Sequence, residues 1–289
     1  MKRAGVAAVA VVLLAVTGLA QQPLPDLESL SKIVRANLAR DERETFRYAF
    51  KERRTDVHAN PFGKIGTGGT RVLDVYPSPV PRLTYRRVIE RDGVPVGAAE
   101  LADQDRQYRV RVADVQKAAA QETPDARRTR EQDVERARQR GQQRIDDVIA
   151  ALRFKMDGRA AYNGVPAIVI SFTPNPDANP STREGKAAQI FAGKVWIDEA
   201  ASEVMQVEAT SIDDFSFGLG LIARVNEGTT ATVTRKPIGD GLWMPTRLTL
   251  KGRGRAAVFR RFALDVVNEW SDYRRLPGYS PTPFLDIQR

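Results

Sequence analysis

The chain has 289 residues, of which 45 are Lys or Arg and 36 are Asp or Glu, and its formal net charge is +9 at pH 7. It contains no cysteine and one histidine, which excludes disulfides, zinc ribbons, iron–sulfur clusters, thiol nucleophiles and most histidine-based metal sites. Hydrophobic residues make up 42% of the chain, enough to build a core. The composition therefore predicts a folded protein without a metal or a cofactor.

The first twenty residues have the pattern of a secretory signal peptide. Lys2 and Arg3 precede an apolar run over 4–16, and small residues then lead to a cleavage site after Ala20. The run is shorter than the roughly 18 residues of a membrane-spanning helix, although an uncleaved anchor is the alternative. We therefore expect a periplasmic protein that does not meet nucleic acid. Its positive charge either favours anionic membrane surfaces or serves solubility alone.

Residues 27–96 are predicted to contain a helix followed by strands. Asp26 can cap a helix over 27–40, in which apolar residues recur on one side. The period then changes to two over 46–51, which indicates a half-buried strand. Residues 59–70 are rich in glycine and are predicted to form a flexible loop, with strands following at 71–76 and 82–90.

Residues 97–152 differ from the rest of the chain, because helix-favouring Ala, Arg, Glu and Gln dominate them. Apolar residues recur near helical spacing, and Pro124 predicts a break between two helices. Seven arginines and seven acidic residues lie between Glu122 and Asp147, a mixture that is typical of a solvated helix face. A partner-binding arm is the alternative interpretation.

From residue 153 onwards the sequence predicts an antiparallel meander. Asn163-Gly164 is a hairpin signal between two strand-like segments, and the later strands are separated by short turns, including one at Gly252-Arg253-Gly254. Short connections favour antiparallel pairing over parallel β-α-β units. The predicted strands lie at 153–161, 165–173, 193–198, 203–212, 215–225, 229–236, 246–251 and 255–273.

Several of these segments resemble a known family. They are NGVPAIVISFTP at 163–174, GKVWID at 193–198, EVMQVE at 203–208, GLWMPT at 241–246 and SDYR at 271–274. In this order they resemble the LolA-like superfamily, the outer-membrane lipoprotein-carrier fold that periplasmic stress regulators of the RseB type share. The resemblance is clearest over 153–275 and weaker over 27–96, and residues 97–152 depart from the carrier pattern as a helical insertion.

The resemblance implies an α+β fold with a strongly curved antiparallel half β-barrel, helices on its concave side and a charged helical insertion. The expected organisation is a signal peptide at 1–20, a single LolA-like domain at 21–275 and a Pro-rich, extended tail at 276–289. In the carriers the concave apolar face accepts acyl chains. Such an open sheet needs tight bends, and we assign Gly218 and Gly220 to one of them rather than to a phosphate-binding loop.

The candidate ligand-binding residues are apolar side chains of the predicted strands together with basic side chains at the rim. Core packing is the simpler role for the aromatic ones, since apolar pockets and cores share a composition. A solvated strand face is the simpler role for the arginines. The pocket candidates are Trp196, Phe217, Leu219 and Trp243, and the rim candidates are Arg82, Arg86, Arg253 and Arg255.

No residue set in the sequence predicts catalysis. His58 is the only imidazole, and no G-x-S-x-G motif accompanies it. Asp213 and Asp214 are neighbours, so on a strand they would face opposite sides and could not share one proton. A hydrolase acting on envelope polymers is thus the weakest hypothesis, and the chain is not expected to be an enzyme.

The sequence favours a periplasmic binding protein that holds an acyl chain or a lipidated partner on a concave apolar sheet. Apolar burial would supply the affinity, and charges at the rim would orient an anionic membrane surface. The alternative is an envelope sensor or scaffold that binds a protein partner through residues 97–152. Carriers and sensors share the fold, so the resemblance leaves both open.

Overall fold

The computed structural model describes residues 23–59, 65–217, 223–256, 260–278 and 280–288. Residues 1–20, the expected signal peptide, lie outside these ranges. No helix within them is both long enough and apolar enough to cross a membrane. The α-helices of the described residues are α1 (Leu27–Glu44), α2 (Ala98–Ala120), α3 (Pro124–Ala150), α4 (Arg183–Ala188) and α5 (Pro283–Ile287), with short 3₁₀ turns at Thr45–Arg47 and Pro81–Leu83.

The described strands form one antiparallel sheet of 13 strands, which runs in the order β4-β3-β2-β1-β13-β12-β11-β8-β7-β6-β5 and does not close within the described residues. A side ribbon, β9 paired with β10, joins β12. The predicted α+β class and antiparallel pairing are confirmed. The strands are β1 (Tyr48–Ala59), β2 (Ile65–Tyr76), β3 (Tyr85–Arg91), β4 (Val94–Pro95), β5 (Leu152–Tyr162), β6 (Val165–Pro174), β7 (Phe191–Asp198), β8 (Val204–Ser211), β9 (Phe215–Phe217), β10 (Ala223–Val225), β11 (Thr230–Gly239), β12 (Leu242–Ala256) and β13 (Arg260–Arg275).

Helix α1 begins where the sequence predicts and ends one turn later. The Asp26 carboxylate accepts a hydrogen bond from the Ser29 N–H at 2.8 Å, so it caps one of the free donors of the first turn. Leu30 and Val34 lie one turn apart on the same side of the helix and are buried. This stripe directs one side of α1 onto the sheet.

Helices α2 and α3 confirm the prediction of two helices that break near Pro124. Pro124 occupies the first turn of α3, where its missing N–H costs nothing, and the Thr123 hydroxyl accepts from the Ala126 N–H at 3.2 Å. The C-terminal part of α3 packs beside α1, where Arg144 and Glu42 form an ion pair of 2.5 Å. The pair of helices α2 and α3 thus returns the chain from the side of the sheet that contains β3 to the edge strand β5.

Helix α2, which belongs to the expected insertion at 97–152, packs on the sheet face opposite α1. Tyr85 and Arg87 of β3 point away from the α1 face, and both contact α2. The Tyr85 hydroxyl donates to Asp105 at 2.7 Å. The Gln104 side-chain amide accepts a hydrogen bond from the Val88 N–H and donates one to the Val88 carbonyl oxygen. These two bonds protect this backbone edge of β3 from pairing with another strand.

Two predictions for glycine-rich segments are wrong. Residues 65–70 belong to β2, because pairing with β1 (for example Thr67 opposite Val57) overrides their glycine content; residues 60–64 lie outside the described residues. The segment Gly252-Arg253-Gly254 lies inside β12 and is not a turn. These glycines allow close approach instead, since a Cβ on Gly254 would overlap the Arg224 backbone and the Phe262 ring.

The C-terminal segment is not wholly extended, because its residues Pro283–Ile287 form α5. Phe284 is 4% exposed and packs edge-on against Tyr85 and Tyr108, with ring centroids 4.7 and 5.7 Å away. The tail therefore completes the core that α2 forms with β3.

Gly193 of β7 supplies a test of the strand packing. A Cβ at this position would overlap the Glu208 carbonyl oxygen of β8, and a backbone atom cannot move aside cheaply. We expect Gly193→Ala to lower the free energy of unfolding by about 2 kcal/mol or more, measured by urea denaturation. Gly141→Ala is the matched control, because its Cβ would meet only the mobile end of Glu42, and helix propensity predicts a gain of up to about 1 kcal/mol. Equal effects of the two substitutions would contradict this packing.

Candidate functional site

The α1 face of the sheet carries an apolar core under the helix. Leu30 and Val34 of α1 pack with Ile168, Ile170 and Ile197 of the underlying strands. Burial of aliphatic side chains of this kind contributes about 1.5–3 kcal/mol each. Helix α1 is therefore held against β6, β7 and β8 and covers one part of a much wider surface.

One cross-strand row of apolar residues starts in the core under α1 and continues beyond it to Val233 and Leu248. In this row each residue lies directly opposite the next across β5, β6, β7, β8, β11 and β12. The members on β7, β8, β11 and β12 are only half-buried, so they present apolar atoms to solvent. The row consists of Met156, Ile170, Val195, Val207, Val233 and Leu248.

The neighbouring row has small residues at its centre. Gly193, Ala209 and Ala231 lie opposite one another on β7, β8 and β11, and all three are half-buried. Phe172 precedes them on β6 and Leu250 follows them on β12. The row therefore has little side-chain volume at its centre and larger side chains at both ends. We call Gly193, Ala209 and Ala231, with the adjoining Val207, Val233, Leu248 and Leu250, the apolar trough.

A buried ion cluster ties the C-terminal half of α1 to the sheet. Asp41 of α1 and Glu203 before β8 are each 2% exposed, and Arg235 of β11 is 9% exposed. Arg235 Nη2 lies 2.6 Å from Asp41 Oδ2, and Arg235 Nη1 lies 3.5 Å from Glu203 Oε2. Arg40 pairs with both acids, at 2.9 Å to Asp41 and 2.5 Å to Glu203. Two arginines thus balance two carboxylates at the end of the apolar trough.

The cluster is not fully satisfied. Glu203 Oε2 and Arg235 Nη1 have no hydrogen-bond partner, although both are buried. Burial and the nearby Asp41 carboxylate raise the pKa of Glu203, against Arg235 and Arg40, which lower it. The ion cluster therefore contains a carboxyl group that takes up a proton more readily than an exposed glutamate does.

Trp196 lies on the sheet face opposite the apolar trough. Its neighbours Val195 and Ile197 pack with the core under α1, so strand alternation turns the indole to the other side. There its ring centroid is 6.0 Å from that of Tyr162. The structure therefore does not bring Trp196 together with the trough residues.

The other pocket candidates are only partly described. Trp243 is half-buried beside the ion cluster, where its carbonyl oxygen accepts from Arg235 Nη2 at 2.6 Å. Phe217 ends β9, but its side chain lies outside what the structure describes, and Leu219 lies outside the described residues altogether. The bend predicted at Gly218 and Gly220 also lies outside them.

The four rim arginines lie near opposite ends of the sheet. Arg82 and Arg86 lie near the end of β13, where Arg86 pairs with the buried Glu52. Arg253 and Arg255 lie near its start, opposite Ala263 and Arg261. All four side chains are exposed. They therefore do not surround one opening.

The residues considered for catalysis are only partly described. Asp214 accepts a hydrogen bond from the Glu227 N–H at 2.7 Å and pairs with Arg224, which is a turn role. His58 lies on β1, and its side chain is outside what the structure describes. Within the described ranges, no three His, Asp or Glu side chains converge so that they could hold a metal ion.

The ion cluster is absent from the sequence predictions, although the sequence contains two signals for it. Asp41 follows Leu30, Val34 and Leu38 at helical spacing, so a charge continues an apolar stripe. Arg235 continues the alternation of Ala231 and Val233 along β11 and occupies an inward position. A charge at each of two inward positions is a sign of a buried pair.

Comparison with known proteins gives little further information. No family model matches the chain, and no curated protein matches it. A crystal structure of a domain from Vibrio parahaemolyticus, described as an outer membrane lipoprotein-sorting protein domain, covers 91% of this chain and 99% of its own length. The two share 12% sequence identity with a TM-score of 0.34. A likeness of this size carries no argument about function.

Removal of Arg235 tests the ion cluster. Arg235→Met leaves two buried carboxylates with Arg40 alone, so we expect the free energy of unfolding to fall by about 3–5 kcal/mol. Arg247→Met, which removes the exposed 2.6 Å pair with Glu269, should cost no more than about 1 kcal/mol. The double variant Arg235→Met/Asp41→Leu should recover much of the loss. Urea denaturation measures all three, and a similar cost for the two single variants would contradict a buried cluster.

The raised pKa of Glu203 predicts a pH dependence. A carboxyl group with a raised folded-state pKa stabilises the fold at low pH, and that contribution is lost as the pH rises through the raised pKa. The wild type should therefore lose stability relative to Glu203→Gln as the pH rises from about 4. Urea denaturation of both proteins between acidic and neutral pH measures the difference. A wild-type stability that stays constant or increases relative to Glu203→Gln as the pH rises would show that burial does not raise this pKa.

Proposed function

We propose that this protein is a periplasmic, non-enzymatic binding protein that holds an acyl chain or a lipidated partner in the apolar trough. The supporting observation is the central row of small residues, Gly193, Ala209 and Ala231, in a half-buried apolar surface. A linear hydrocarbon chain can lie over small apolar residues without requiring polar partners. The signal-peptide pattern of residues 1–20 and the resemblance to LolA-like carriers support the same function and the half-barrel form of the sheet.

Affinity in this proposal comes from apolar burial, at about 25 cal/mol for each Å² removed from water. A single acyl chain of this kind binds reversibly, as a carrier requires. The ion cluster fixes α1 at one end of the trough, so the helix limits how far a chain can extend along it. Of the two pocket candidates whose side chains are described, Trp243 lies nearer to this arrangement than Trp196, because its carbonyl oxygen bonds Arg235 of the cluster.

The alternative is an envelope sensor or scaffold that binds a protein partner through residues 97–152. One observation favours it: the described side chains between Gln116 and Arg140 are exposed except for the half-buried Glu122, over the adjoining ends of two long helices. Deletion of the whole segment would remove Tyr108, which is fully buried. Exchange of residues 116–140 for an unrelated helical hairpin is therefore the better test. A carrier should then keep its affinity for lipid, whereas a sensor should lose its partner.

A substitution that fills the trough tests the proposal directly. Ala231→Phe places a large ring among the small residues, so we expect the affinity for a fluorescent fatty acid to fall at least about tenfold. Thr232→Phe is the matched control, because the next residue of β11 faces the other side of the sheet. Fluorescence titration gives the affinities, and thermal unfolding verifies that both variants fold. Equal affinities of the two variants would place the acyl chain elsewhere.

A further inference from the structure

An arginine row crosses three strands on the face opposite α1. Arg224 of β10 lies directly opposite Arg255 of β12, which lies directly opposite Arg261 of β13. All three side chains are exposed. Their sequence neighbours Val225 and Phe262 are buried on the other face, so the arginines project outward. We call Arg224, Arg255 and Arg261 the arginine row.

Like charges directly opposite each other destabilise a sheet, and at other positions of this one the register places opposite charges together. Arg247 lies opposite Glu269 and forms a 2.6 Å ion pair with it. Lys194 likewise lies opposite Glu208. The arginine row departs from this pattern, because the register places three positive charges side by side.

A second row of arginines shows how the protein neutralises such an arrangement. Arg54, Arg71 and Arg91 also lie opposite one another, on β1, β2 and β3. There Asp56 lies 2.5 Å from Arg71 and 3.7 Å from Arg54, and Glu100 lies 2.6 Å from Arg91. Each member of that row has a carboxylate partner within the protein.

The outward arginine row lacks such compensation. Asp214 pairs with Arg224 at 2.9 Å, but neither Arg255 nor Arg261 forms an ion pair within the described part of the chain. Arg253, two residues before Arg255 on the same side of β12, is also exposed and has no ion pair there. The guanidinium groups of Arg253, Arg255 and Arg261 thus remain available to an external anion.

A hollow of about 490 Å³ adjoins this surface. Lys251 and Arg253 line it together with two acidic residues, Glu227 and Asp265. Asp265 lies 3.9 Å from Lys251, at the limit of an ion pair. The remaining lining is backbone and small or aliphatic side chains, from Asn226, Gly228, Thr229, Thr230, Gly252, Ala263 and Leu264. It offers room for a phosphate-bearing head group beside the row.

We infer that the arginine row, with Arg253, docks the protein on an anionic phospholipid membrane. Neighbouring strands lie about 4.8 Å apart, so the guanidinium groups form a dense positive array on one sheet face, which is attracted to a surface that carries many negative charges. Near an anionic membrane each basic residue strengthens binding about fivefold, which corresponds to about 1 kcal/mol. The row and the apolar trough lie on opposite faces, so this inference does not rest on acyl binding. Docking through the row leaves the trough facing away from the membrane.

Vesicle binding tests the inference with the full mature chain. Co-sedimentation should show binding to vesicles of equal parts phosphatidylglycerol and phosphatidylcholine, and none to phosphatidylcholine alone. Arg255→Gln/Arg261→Gln should weaken binding about twenty-five-fold, from two contributions of about fivefold each. The matched control Arg183→Gln/Arg274→Gln has the same net charge and removes two exposed arginines far from the row. It should weaken binding less than about threefold.

The outcomes separate docking on a membrane from diffuse charge attraction and from binding of a soluble polyanion. Equal losses in the two double variants would mean diffuse attraction by net charge and would overturn the inference. Wild-type binding to phosphatidylcholine alone would overturn it too. Row-dependent binding to soluble heparin without binding to anionic vesicles would assign the surface to a soluble polyanion instead. Fatty-acid affinity, measured on the same variants, should stay unchanged, so that failure of acyl binding and failure of membrane docking remain distinguishable.

Discussion

The buried contact between Arg235 and Asp41 determines how the α1 side of the sheet is arranged. An amphipathic helix on a flat apolar surface can slide or rotate, because hydrophobic contact is not directional. A charge pair removed from water has one favourable geometry and a large penalty for any other. Asp41 lies in α1, Glu203 lies in the turn before β8, and Arg235 lies in β11. The cluster therefore fixes the helix relative to two strands at once. The apolar trough adjoins the core that this helix covers, because Val207 packs against that core.

The division of the sheet into two faces gives the protein two different surfaces. Strand alternation sends Val207, Val233 and Leu248 to the side of α1, while Arg255 and Arg261 project to the other. One surface is apolar and suited to hydrocarbon, and the other is basic and suited to phosphate. A protein that collects an acylated molecule at a membrane needs both chemistries, and separate faces prevent one from blocking the other. The two proposals therefore describe one molecule without sharing a residue.

Local sequence patterns predict the helices and strands well, whereas contacts between distant parts of the chain depend on the three-dimensional structure. The stripe of α1, the break at Pro124 and the hairpin at Asn163-Gly164 follow from neighbouring residues alone, and the structure has all three. The turn predicted at Gly252-Arg253-Gly254 is wrong, since a glycine that permits close packing looks the same in sequence as one that permits a bend. The sheet face on which Trp196 lies can be assigned only from the register of β7 against its neighbouring strands. The ion cluster joins α1 to residues that lie about 160 to 200 positions further along the chain, so no local pattern can show that the charges meet.

Photo-crosslinking tests the central claim most directly. A fatty acid with a diazirine near its methyl end would be bound to the mature protein and irradiated, and the crosslinked residues would be identified by mass spectrometry. The account predicts crosslinks to β8, β11 and β12 at the half-buried positions of the α1 face, such as Ala209, Ala231 and Leu250. Crosslinks confined to the opposite face, around Trp196 and Tyr162, or to residues 97–152, would contradict it.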